Sequence, residues 1–177
     1  MGSNIMPACA KKVKNSAFCS MQIKLIAVGK TDHPAIRTLL EEYVTRLGFY
    51  IKFDLDIIPD LKNAKNLSEP AQKQKEGELI LKKIQTSDEV ILLDEQGKQF
   101  SSMDFADYLQ KKMNAGLRQL VFVIGGPYGF SEEIYQRANG KISLSKMTFS
   151  HQMVRVFFTE QLYRAFTILK NEPYHHQ

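Results

Sequence analysis

Leu120-Val-Phe-Val-Ile124 runs straight into Gly125-Gly-Pro-Tyr-Gly129, and this stretch decides the fold class. The first half is the most apolar strand pattern in the chain. A strand without a polar face belongs in the middle of a parallel sheet, covered on both sides. The glycines that follow let a ligand approach the main chain closely. A tight turn with one positive-φ residue satisfies Gly125-Gly126-Pro127 equally well. These five residues are also the longest unbroken apolar run, and a membrane-spanning helix needs roughly 20.

Working outward, strands and helices alternate. Gln22 to Val28 is a strand closed by Gly29. Thr31 or Asp32 can cap the next helix, with Pro34 in its first turn. Ile36, Leu39, Leu40, Tyr43, Val44 and Leu47 then form one helical face, ended by Gly48. Lys52 to Ile58 alternates with period two, as an edge strand with one wet face does. Residues 59–68 read as a loop. Ser68 can cap a helix from about Glu69 to Gln85, whose Lys- and Gln-rich front is a solvated face. Glu89 to Leu93 is a short buried strand. Ser101 or Ser102 caps a helix to about Asn114, with Phe105, Tyr108, Leu109 and Met113 as its stripe. Ser131 starts a short helix, Lys141 to Ser143 a last strand, and His151 to about Lys170 a long helix. This order implies an α/β fold with a mostly parallel sheet and helices on both faces, in one domain over residues 21–177.

Residues 1–20 stand apart. They hold Lys11, Lys12, Lys14, Cys9 and Cys19 and no acid. They lack a sustained period and a signal-peptide apolar core, and read as a disordered leader, a cloning remnant or an over-extended start, with a native floppy tail as the alternative. Without a signal, the expected location is cytoplasmic. The remaining residues carry 21 basic and 19 acidic side chains and no cysteine. That excludes disulfides, thiol nucleophiles and cysteine metal sites there.

Ligands of open α/β sheets bind beyond the carboxyl ends of the strands. Three such ends are rich in Gly or small polar residues: Leu93 to Lys98, Gly125 to Gly129, and Ser143 to Ser150. None is a Walker loop or a dinucleotide fingerprint. The last helix is apolar on nearly every side from Met153 to Leu169, so it is buried on more than one side. In so short a chain, a second subunit is expected to cover one of them. His151 and Arg155 share a face at its start. His175 and His176 with His151 lack the carboxylate spacing of a metal site, so no metal is expected.

The stretches Ile26-Ala-Val-Gly-Lys30, Leu93-Asp-x-x-Gly-Lys98, Phe122-Val-Ile-Gly-Gly126, Leu144-Ser-Lys-Met-Thr-Phe149, His151-Gln-Met-Val-Arg155, Glu160-Gln-Leu-Tyr-Arg-Ala165 and Pro173-Tyr-His-His176, taken in order, resemble one family over residues 21–177. It is the bacterial 23S rRNA (pseudouridine-N3)-methyltransferase family, large-subunit rRNA methyltransferase H, of the SPOUT class. The resemblance implies a C-terminal trefoil knot and a homodimer without membrane association. It also implies S-adenosyl-L-methionine as cosubstrate and methylation of N3 of a pseudouridine in helix 69 of 23S rRNA, in the assembled ribosome.

By the same resemblance, Leu93, Gly125, Gly126, Leu144, Ser145, Lys146, Met147, Thr148 and Phe149 match the donor-pocket positions, with Lys146 turned away from the cationic sulfur. His151, Arg155, Tyr174 and His175 match positions at the pocket mouth. Arg155 is assigned there to anion binding, and His151 with His175 to substrate positioning or proton handling. The other reading makes His151 a cap and pairs Arg155 with Glu160 or another acid. Residues 141–177 hold five basic and two acidic side chains, a local patch for RNA. The alternative function is a non-catalytic, ribosome-binding dimer of the same fold. A hydrolase ranks last for want of a nucleophile motif.

Overall fold

The structure, a computed structural model, describes residues 21–61 and 66–174. The elements run β1 (Gln22–Val28), α1 (Pro34–Leu47), β2 (Lys52–Ile58), α2 (Glu69–Leu81), β3 (Glu89–Gln99), α3 (Ser102–Asn114), β4 (Gln119–Ile124), α4 (Glu132–Arg137), β5 (Gly140–Ser143) and α5 (Met153–Leu169). Among the described residues the strands form one sheet in the order β2-β1-β4-β3-β5, and every pairing is parallel. Residues 1–20, where a leader is expected, lie outside the described residues.

The sheet has two different faces because its inner strands are apolar on both. Leu25, Leu120, Phe122 and Ile124 point into one core with α1, α3 and α5; Ile26, Val121 and Val123 point into the other with α2 and α4. Leu120 to Val123 are fully buried, as a central strand requires. Phe122 and Phe158 meet with ring centroids 4.7 Å apart, a contact worth about 0.5–1.5 kcal/mol beyond area burial. β2 is an edge strand, as its alternation implies.

Several local expectations are corrected. Neither Thr31 nor Asp32 caps α1. His33 stands at the cap without a side-chain bond, because the Thr31 hydroxyl accepts from Arg155 at 2.6 Å instead. Leu39, expected on the core face of α1, is 45% exposed. α2 ends at Leu81, not Gln85. Arg137 takes the Gln85 carbonyl at 2.7 Å and Asp88 takes the Gln85 amide at 2.8 Å, which stops the helix. The front of α2 is not wholly solvated either, since Gln72 and Glu76 are buried.

β3 does not stop at Leu93. Ile142 pairs with both Leu93 and Lys98, so residues 94–97 bulge out of register before the strand resumes. Such a bulge re-aims side chains. It needs Gly97, because a Cβ there would lie 2.5 Å from the Ile142 backbone. Finally, α5 begins at Met153, leaving His151 in the preceding turn. Its all-round apolar character is met largely inside one chain. The sheet takes Phe158, Leu162 and Phe166, while α1 and α3 flank the helix.

Candidate functional site

The bulge of β3 and the carboxyl ends of β4 and β5 open into one cavity of about 580 Å³, a size typical of small-molecule sites. Leu93, Ile124 and Ile142 line it from the sheet, and two loops supply much of the rest, with the β3 bulge, α4 and α5 adding single side chains. The first closes as a turn in which the Gly129 amide donates to the Gly126 carbonyl at 3.1 Å. The positive φ sits at Gly129, at 82°, and not within Gly125-Gly126-Pro127. Gly125 is tightly seated instead: a Cβ there would lie 3.1 Å from the Phe130 ring.

The second loop follows β5 and is shaped by its own serines. Ser143 Oγ donates to the Ser145 carbonyl at 2.8 Å, and the Met147 amide donates to Ser145 Oγ at 2.9 Å. Such local bonds let Ser compete with regular structure and hold a loop open. Ser150 then turns the chain into α5, accepting the Met153 amide on its hydroxyl and the Val154 amide on its carbonyl.

The β3 bulge brings Asp94, Glu95 and Gln96 into the lining, which among the described residues carries these two carboxylates and no Lys or Arg. Tyr135 donates to Asp94 at 2.7 Å, and the Gln96 amide donates to its other oxygen at 2.8 Å. Burial, then the Asp94 bond, pushes the Tyr135 hydroxyl up to about 12, so it stays a donor at neutral pH. Apolar walls, main-chain donors and acceptors, and an acidic edge together suit a flat apolar ring attached to a cationic group.

The expected pocket residues converge with one exception. Leu93, Gly125, Gly126, Leu144, Ser145, Met147, Thr148 and Phe149 all line the cavity; Lys146 does not, and is exposed. His151 lines the mouth. Arg155 does not reach it, and the shared face with His151 is corrected. Arg155 is fully buried, donating to the Val28 carbonyl at 2.7 Å and to Thr31. It therefore cannot serve a phosphate at the mouth. Its pairing with Glu160 is also absent, since Arg164 holds that carboxylate at 2.6 Å. Burial pulls the Arg155 pKa below its ordinary value, against the opposing charges of Asp60 and Asp32.

Tyr174 lies away from its own chain's cavity. It donates to Glu160 at 3.1 Å and packs against Tyr163, and its pKa is raised by burial first and then by Tyr43 and Glu160. His175 and His176 lie outside the described residues. The expected basic patch over residues 141–177 is reduced, because Arg155 is buried and the half-buried Arg164 is paired with Glu160. Among the described residues no group of three or more His, Cys, Asp or Glu could hold a metal, and no helix is long and apolar enough to cross a membrane.

The expected strand-end segments contain Asp94, Glu95 and Tyr128 without giving them a role, and sequence reasoning missed Tyr135 and Val154 in the lining. Asp94 and Glu95 directly follow Leu93 and were within reach of the strand-end rule. Tyr135 reaches the site only through the packing of α4.

The family model described as "Predicted SPOUT methyltransferase" matches residues 21–175. The ribosomal RNA large subunit methyltransferase H of Flavobacterium johnsoniae is 70% identical over 157 residues, covering 89% of this chain and 100% of that relative. The proteins of the same name from Parabacteroides distasonis and Porphyromonas gingivalis are 60% and 53% identical over the same shares. Among solved structures, the SpoU methyltransferase AviRb from Streptomyces viridochromogenes, in complex with AdoMet, aligns with a TM-score of 0.41 at 8% identity. That alignment covers 85% of this chain and 60% of that one; the family match does not rest on it.

Proposed function

The chain belongs to the SPOUT methyltransferase family, and from that premise we propose that it methylates N3 of a pseudouridine in helix 69 of 23S rRNA, in the assembled ribosome, using S-adenosyl-L-methionine. The observation that carries the proposal is the cavity at the β3 bulge and the ends of β4 and β5, with its apolar walls and acidic edge. Bound there, S-adenosylmethionine supplies a methyl group on a positively charged sulfur. The residues present fit it. Leu144 and Phe149 offer an apolar slot for an adenine, beside main-chain partners in the same loop. Asp94 and Glu95 favour a cation, and among the described residues no lysine or arginine of the lining opposes it.

Holding the reacting atoms in line does most of the catalytic work in such a displacement. His151, exposed at the mouth, is placed to orient the base or to take its N3 proton. An intact lining favours this enzyme over the non-catalytic binder.

The working unit is proposed to be a homodimer. Phe149 and Phe157 pack with ring centroids 5.0 Å apart beside the cavity, yet remain 37% and 40% exposed, and Met147 nearby is 76% exposed. A second copy laid on this patch would cover it. Tyr174, held by Glu160 and absent from the lining of its own cavity, then serves at the partner's. The trefoil knot and a cytoplasmic location are parts of the same proposal.

A modest charge fits a ribosomal surface better than free RNA, where phosphate neutralisation dominates. Mass spectrometry of 23S rRNA from a strain lacking the gene tests the substrate. The methyl group should vanish from the helix 69 pseudouridine and return on complementation; its persistence in the deletion strain refutes the assignment.

A further inference from the structure

Glu76, on α2, lies behind the cavity and lines none of it. It is 4% exposed, and Gln72 donates to its Oε1 at 2.8 Å. Its Oε2 is buried without a hydrogen-bond partner. A Cβ built on Gly126 would lie 2.3 Å from that oxygen. The carboxyl group thus fills the space a side chain would take at Gly126, and the Gly126 main chain, which lines the cavity, stands between the two. The neighbouring packing is equally tight: a Cβ on Gly77 would lie 2.4 Å from Ser131 Oγ, which is also unpartnered.

A buried carboxyl oxygen without a partner is costly, so its place beside a ligand-lining glycine calls for a reason. We infer that Glu76 sets the preference for the cationic methyl donor over its uncharged thioether product, by ionising behind Gly126 when a cation enters the cavity. This rests on the methyl-donor reading above. Burial raises the Glu76 pKa, the Gln72 bond opposes that rise, and the charge of Asp60 adds to it. Asp60, Gln72 and Ser131 are its polar surroundings; Asp94 and Glu95 lie at the cavity itself.

Without a cation nearby, these surroundings favour the neutral acid. A sulfonium in the cavity favours the carboxylate, and the proton leaves to solvent. Once the methyl group is transferred, the ligand carries no charge at sulfur. The carboxylate then regains a proton, and the product is held less tightly. By linkage, the ligand that draws out the proton is the one whose affinity depends on it.

Titration calorimetry of the full chain with S-adenosylmethionine and with S-adenosylhomocysteine, in buffers of different ionisation heat from pH 5 to 8, tests this. The donor should release protons that the product does not. In Glu76→Gln that difference should disappear, and the donor-to-product preference should fall roughly tenfold. A tenfold change corresponds to about 1.4 kcal/mol. Asp94→Asn should keep the proton release. Equal proton release by the two ligands in the unmodified protein overturns the inference, as does an unchanged preference in a folded Glu76→Gln protein. If Glu76→Gln does not fold, the unmodified protein's proton count decides alone. Absence of binding by either ligand refutes the methyl-donor reading itself, a different and distinguishable failure.

Discussion

Replacing Arg155 by Met separates a structural arginine from an RNA-binding one. Its guanidinium is fully buried and joins α5 to the end of β1, through the Val28 carbonyl at 2.7 Å and the Thr31 hydroxyl at 2.6 Å. Hydrogen bonds from a charged donor contribute about 1.5–3 kcal/mol each. Methionine forfeits both, but it also removes the cost of burying a guanidinium whose Nε has no partner. The net expectation is a loss of about 3 kcal/mol of folding stability. For a chain of this size that lowers Tm by about 6–12 °C. Urea unfolding at one fixed protein concentration measures it, since any oligomer makes the midpoint concentration-dependent. Thr31→Val should cost about half as much. The double variant should show coupling, because the two side chains share one bond. An Arg155→Met protein within about 0.5 kcal/mol of the unmodified one, but with weakened ribosome binding, would refute the reasoning and return Arg155 to the RNA.

The β3 bulge is tested at Gly97. Alanine there would press its Cβ to 2.5 Å from the Ile142 backbone; urea unfolding should show a loss of about 1–3 kcal/mol, and an unchanged midpoint would count against the close approach. Tyr135 gives a pH dependence. Its hydroxyl titrates at about 12 in the fold against 10.0 ordinarily, so the fold favours its neutral form. That contribution is complete below pH 10 and is lost as the pH rises through 12. Tyr135→Phe should therefore flatten the fall in stability between pH 10 and 12, without abolishing it, because Tyr50, Tyr108 and Tyr174 are shifted in the same direction. Parallel slopes for the two proteins would contradict the raised Tyr135 hydroxyl, which burial and then the Asp94 contact produce. Phe157→Asp places a charge in the patch assigned to the second subunit, and sedimentation should show a shift from dimer to monomer. A dimer that persists moves the interface elsewhere.

The sheet and both helical layers were readable because each strand and helix carries its own periodicity. Leu120 to Ile124 could only be central, and the alternation of Lys52 to Ile58 could only be an edge. The cavity was readable as well, since glycines and serines cluster after three strands. Tertiary competition was not. The Thr31 hydroxyl is consumed by Arg155, 124 residues later, and no local rule foresees that. Spacing correctly placed His151 and Arg155 one turn apart, but the chain reaches helical geometry only after His151. One residue therefore faces the mouth while the other is buried. The bulge at Asp94–Gly97 escaped because a strand that leaves and rejoins its register has no period to detect. Glu76 was hidden by its composition: a charged residue between lysines and glutamate reads as solvated until Gly126 is brought against it.

The central claim is that the β3 bulge and the loops after β4 and β5 together hold the methyl donor. A crystal structure of the full chain with S-adenosylmethionine bound tests it most directly. The account predicts the adenine between Leu144 and Phe149, with the sulfur on the side of Asp94 and Gly126. Density for the ligand anywhere outside that cavity, or a cavity closed in the complex, would contradict it.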